Sequence, residues 1–200
     1  MNDFSLWFLI GFKHIVDWHA YDHILFLIVL SAIYEKDQWK QLLVLVTAFT
    51  IGHSFTLVLS ATHLFSLPET WVEFLIPLTI LITAILNLIN LNKFADKKIQ
   101  PNYFLALVFG FIHGMGFSII LKSLLGKNDD ILFPLFSFNI GIEAGQIIIV
   151  LCIFIISLFL SFLTKGRARE KKLIISAGVM VIALAMCLER LLILIQSNHE

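Results

Sequence analysis

Imidazole and carboxylate side chains recur in this sequence at helical spacing. His19, Asp22 and His23 stand at i, i+3 and i+4, so on a helix all three leave one face. Asn139, Glu143 and Gln146 follow i, i+4 and i+7, and Thr50, His53 and Ser54 repeat i, i+3 and i+4. His14 and Asp17 precede the first group, and His113 lies in the run Phe111-Ile112-His113-Gly114-Met115-Gly116. Neutral imidazole suits zinc, copper, iron or nickel; a carboxylate completes the shell or orients a ligating ring from behind. Soft donors are scarce, because Cys152 and Cys187 lie far apart inside apolar runs and Met115 is the only methionine beside the group. The donor set points to a borderline divalent ion rather than copper(I).

The elements that must carry these side chains are membrane helices. Of the 200 residues, 59% are hydrophobic and only 14% charged, with a mean hydropathy of +0.93. A soluble domain of this length could not bury that much apolar surface. Apolar runs long enough to cross a hydrocarbon core of roughly 30 Å recur along the chain. The expected spans are 5–33, 39–62, 70–92, 103–125, 131–163 and 171–196, an all-α bundle of six transmembrane helices in one domain over 1–200. The first and fifth exceed what a bilayer needs. Asp17-Trp18-His19 is a natural break in the first, with residues 4–16 then lying at the interface.

Orientation follows from the basic residues, ten of the 14 of which fall on one side: Lys36, Lys40, Lys93, Lys97, Lys98, Lys165, Arg167, Arg169, Lys171 and Lys172. Both termini are therefore expected outside, in what would be the inner membrane of a bacterium. The opening Met1-Asn2-Asp3 has no basic region, so a cleavable signal peptide is not expected. The net charge of zero gives no footprint for nucleic acid.

Depth ties the polar groups together. At about 1.5 Å per residue, His53 lies some 13 Å below the outer end of its span. His113 and Glu143 lie about 18 Å in, and Asp22 about 16 Å from the inner end. Ionisable groups at this depth are costly and mark pathways and sites. The expected ligands are His14, His19, Asp22, His23, His53, His113 and Glu143, supported by Asp17, Thr50, Ser54, Asn139 and Gln146. Taken singly, an intramembrane His or Asn is more often an interhelical hydrogen-bond partner. Glu189-Arg190 reads as a structural ion pair, and Trp7, Trp18, Trp39 and Trp71 as interfacial anchors.

Four segments resemble the HupE/UreJ family: Gly11-Phe12-Lys13-His14-Ile15-Val16-Asp17 with Tyr21-Asp22-His23-Ile24-Leu25-Phe26, Thr47 to Ser54, Phe109 to Phe117, and Phe138 to Gln146. Members are hydrogenase and urease accessory membrane proteins regarded as nickel or nickel/cobalt permeases. The resemblance implies divalent metal transport, with His14, Asp22, His23 and His113 matching the family's histidine-rich motifs.

The expected function is therefore transport of nickel, cobalt or zinc through the His/Asp/Glu group, with the metal ion and the lipid bilayer as partners. A zinc-dependent intramembrane hydrolase uses the same ligands, with Ser54 beside His53 as a possible nucleophile. A third reading is an accessory subunit docked onto a larger membrane complex; a second copy of the chain, as a homo-oligomer, is a further candidate partner.

Overall fold

Helices occupy each of the six apolar runs, the first in two pieces. The computed structural model describes residues 3–18, 21–35, 38–62, 67–91, 103–125, 131–163 and 167–197. Among these, seven helices and no strand are formed: α1 (Phe4–Val16), α2 (Tyr21–Ser31), α3 (Trp39–Ala61), α4 (Glu69–Ile89), α5 (Tyr103–Leu125), α6 (Leu132–Leu163) and α7 (Ala168–Ser197). Of these, α3, α4, α6 and α7 are long and apolar enough to cross a membrane, while Phe4–Val16, Tyr21–Ser31 and Tyr103–Ser118 are shorter apolar stretches. The Asp3 carboxylate caps α1 by accepting from the backbone N–H groups of Ser5 and Leu6 at 3.0 and 3.4 Å. Pro68 stands before the first turn of α4, and Pro77 removes one rung of its ladder, the bond to the carbonyl of Glu73.

The helices associate chiefly in three pairs: α1 with α6, α3 with α5, and α4 with α7. In an apolar solvent helices gain little from burying more apolar surface, so close backbone packing must hold them together. Gly11 and Gly141 bring α1 onto α6, and Gly52 and Gly110 bring α3 onto α5; a Cβ at any of the four would collide with the partner's backbone. α1 therefore lies along α6 rather than splaying away from the bundle as an interfacial segment.

Contacts along each pair fix the relative directions. Phe49 meets Gly110 and His53 meets Gly114, so α3 and α5 run parallel. Trp7 shares a cluster with Leu135, and Ile15 packs on Gly145, so α1 and α6 run parallel as well. In the antiparallel α4–α7 pair, the Arg190 guanidinium donates to Glu73 at 2.9 Å. Arg190, expected to pair with its neighbour Glu189, instead reaches across to α4, because adjacent helical residues point about 100° apart. At the other end of the bundle Glu35 receives Lys171 and Lys172 at 3.6 and 3.3 Å, with both lysine side chains buried. We call these the arginine end and the lysine end.

Candidate metal centre

Four helices deliver imidazoles to one place. His14 is in the last turn of α1 and His23 in the first turn of α2, either side of the break at Asp17-Trp18. His53 comes from α3 and His113 from α5, brought together because Gly114 lies against the backbone of His53. The His14 ring centroid is 4.7 Å from that of His23 and 5.7 Å from that of His53. His23 is 6.0 Å from His53 and 5.4 Å from His113. Rings that share one ion at an N–metal distance of 2.0–2.1 Å have centroids roughly 5 Å apart.

Hydrogen bonding fixes which nitrogens face the cluster. The Nδ1 of His23 lies 3.1 Å from Asp22 Oδ1, and an ionised carboxylate only accepts, so Nδ1 carries the proton. The Nδ1 of His113 lies 2.9 Å from the carbonyl oxygen of Phe109, which imposes the same tautomer. Both rings then present Nε2 as a lone pair. That nitrogen is buried without a hydrogen-bond partner in His14, His23 and His113, as are both ring nitrogens of His53. Five buried imidazole nitrogens without partners depart from the usual satisfaction of buried polar atoms, and up to four of them, one per ring, can offer a lone pair to a cation. The rings are gathered rather than closed: as they stand, no group of three or more His, Cys, Asp or Glu side chains among the described residues is arranged to hold a metal ion.

The other expected ligands are placed differently. Glu143 accepts from the Thr47 hydroxyl at 2.6 Å, and Gln146 from Thr50 at 2.7 Å, forming a polar seam between α3 and α6. Ser54 donates to the carbonyl of Thr50 at 2.7 Å, a bond within its own helix that gives no support to a nucleophile. Asn139 keeps a buried amide oxygen without a partner, Asp17 is exposed, and His19 lies outside the described residues.

A cavity of about 950 Å³ leads to the cluster from the arginine end. Lys13, Asp17, Glu69, Glu73 and Arg190 line it, and His14, Asp22, His23 and His113 stand along the same wall. Met186 lines it along with Met115. On the other side of the imidazoles Phe26 and Phe49 close the bundle, with ring centroids 5.3 and 5.1 Å from His113.

A gathered histidine cluster at the foot of a cavity in an apolar helix bundle agrees with the match of the HupE / UreJ protein family over residues 1–190. The chain belongs to this family. HupE/UreJ proteins are linked to nickel and cobalt handling, in accessory or transport roles. As an apolar helical bundle of this family, the chain is an integral membrane protein. No curated protein and no solved structure matches it.

Proposed function

We propose that this HupE/UreJ protein transports a divalent transition-metal ion, nickel or cobalt before zinc, across the inner membrane. The observation that carries the reading is the set of unpartnered imidazole nitrogens, those of His14, His23 and His113 on the cavity wall and those of His53 packed beside them. The bundle crosses six times, with α1 and α2 together as one broken crossing and both termini outside. The arginine end then faces outward and the lysine end faces the cytoplasm.

The cargo enters past Glu69 and Asp17, whose carboxylates favour a cation at the mouth, while Glu73 is engaged by Arg190. It meets the Nε2 lone pairs of His23 and His113 in rings already oriented by Asp22 and the Phe109 carbonyl, with His14 and His53 completing the shell. Borderline imidazole donors select a transition ion over magnesium or calcium, which prefer oxygen. Asp22 supplies a negative charge beside the ion, lowering the cost of holding a dication in low dielectric. Glu143 is left out of this ligand set because Thr47 engages it. Discontinuous helices meeting at the binding site are a recurrent arrangement in membrane transporters.

Uptake of nickel, cobalt and zinc into proteoliposomes tests the proposal. Saturable uptake of at least one of the three, lost in His23→Ala and His113→Ala, is the expected result. Accumulation unchanged in both variants would overturn it.

A further inference from the structure

Two short patterns each occur twice in the chain. Gly-Phe-x-His is Gly11 to His14 on α1 and Gly110 to His113 on α5; Phe-x-Ile-Gly is Phe49 to Gly52 on α3 and Phe138 to Gly141 on α6. In space they are exchanged, so that the first Gly-Phe-x-His packs on the second Phe-x-Ile-Gly and the second on the first.

The two crossings agree atom by atom. A Cβ at Gly11 would strike the carbonyl oxygen of Phe138 and lie 2.9 and 3.1 Å from its C and Cα; at Gly110 it would strike the same atom of Phe49, with 2.8 and 3.0 Å. A Cβ at Gly141 would strike the carbonyl oxygen of Phe8 and lie 2.8 Å from the nitrogen of Phe12; at Gly52 it would strike that of Leu107, 2.9 Å from the nitrogen of Phe111. Phe8 and Leu107 each precede their own helix's glycine by three residues, and Phe12 and Phe111 each follow it by one. One unrelated crossing could be a coincidence of small residues. Two with the same atoms at the same offsets are a structural repeat.

The copies point in opposite directions. α1 and α6 run from the arginine end, whereas α3 and α5 run towards it. The third member of each set, α4 and α7, completes the relation as an antiparallel pair. The chain thus divides into α1–α4 and α5–α7, three crossings each when α1 and α2 count as one, and an odd number inverts the second copy. The relation interchanges His14 and His113, which both lie three residues after the repeated glycine.

We infer that the chain is an inverted repeat whose halves exchange conformations, exposing the histidine cluster first to one face of the membrane and then to the other. This rests on the transport reading above. Equivalent positions now sit in unlike surroundings, as an exchange requires. Ile10, one residue before its glycine, lines the open cavity; its counterpart Phe109 is buried on the lysine side, with its ring centroid 6.1 Å from that of Phe26. In the second state the packing around Phe109 opens and that around Ile10 closes. Glu35 with its two lysines and Glu73 with Arg190 are the ion pairs at the two ends that this change disturbs.

Single cysteines in the Cys152→Ala, Cys187→Ala background test this with an impermeant maleimide in proteoliposomes of defined orientation. Ile10→Cys reports the open cavity, and Ala106→Cys and Ala84→Cys report the buried lysine side from two helices. Without metal, Ile10→Cys should react and the other two should not. With a nickel gradient, labelling of the other two should rise about tenfold from the lysine side while that of Ile10→Cys falls. Metal uptake with both buried reporters still protected would overturn the alternation and leave transport standing. Alternating labelling without uptake of nickel, cobalt or zinc would keep the device and overturn metal transport. Neither labelling change nor uptake would overturn both.

Discussion

The carboxylate of Asp22 binds its neighbour twice, receiving the backbone N–H of His23 at 3.0 Å and its ring Nδ1 at 3.1 Å. One residue thereby fixes the ring's place, its tautomer and the direction of its free lone pair. Asp22→Asn keeps the size but removes the charge and the obligate acceptor. Loss of such an orienting partner typically costs 10- to 100-fold in metal affinity or activity, and nickel uptake should fall by about that factor. Uptake kinetics across nickel concentrations check it, and a wild-type concentration dependence would rule out this role.

His53 is fully buried with both ring nitrogens unpartnered, an arrangement that costs the metal-free protein stability. His53→Phe replaces the ring by an apolar one of similar shape. The metal-free variant should unfold at a temperature at or above the wild type's, while added nickel no longer raises it. Thermal unfolding in detergent with and without nickel checks both halves.

Gly114→Ala places a methyl 2.9 Å from the Cα of His53, on a helix that cannot give way locally. The α3–α5 crossing should open and uptake should fall severalfold or more. Gly178→Ala is the control: a Cβ there meets nothing within 4 Å, so uptake should be unchanged. Stability should rise slightly from helix propensity, by up to about 1 kcal/mol. Parallel uptake and melting measurements separate the two.

Glu35→Gln removes the carboxylate shared by Lys171 and Lys172, whose side chains are 5% and 2% exposed. Breaking a buried pair costs about 3–5 kcal/mol, and because Glu35 is itself 31% exposed we expect about 1–3 kcal/mol here. Glu35→Asp should recover part of it. Denaturation midpoints of the three proteins decide the matter.

Hydropathy placed the helices because burial in lipid depends on run length, which composition records directly. Asp17-Trp18-His19 marks the break in the first run for the same reason, since Asp17 and His19 interrupt the apolar stretch. Depth counting groups Asp22, His53 and His113, because rise per residue is nearly constant along a helix, and helical spacing adds His23 beside Asp22. It could not say which way a side chain faces, so Glu143, at the right depth, was grouped with the imidazoles although it turns to Thr47. Likewise Arg190 was matched to Glu189 beside it and not to Glu73, 117 residues away. The Gly-Phe-x-His and Phe-x-Ile-Gly repeats are four residues each, too short to stand out from chance in the sequence without the backbone contacts they make.

The pairing of α1 with α6 has a consequence for biogenesis. α1 is 13 residues long, too short to span a bilayer, and the segment after it carries Asp17 and Asp22. The helix whose backbone receives it, α6, begins at Leu132, more than a hundred residues later. When α1 leaves the ribosome its docking groove does not yet exist. α1 must therefore wait, loosely inserted or shielded by the insertion machinery, until nearly the whole chain has been made. Chains truncated before residue 132 should expose the α1 region to added protease, and those extended through α6 should protect it.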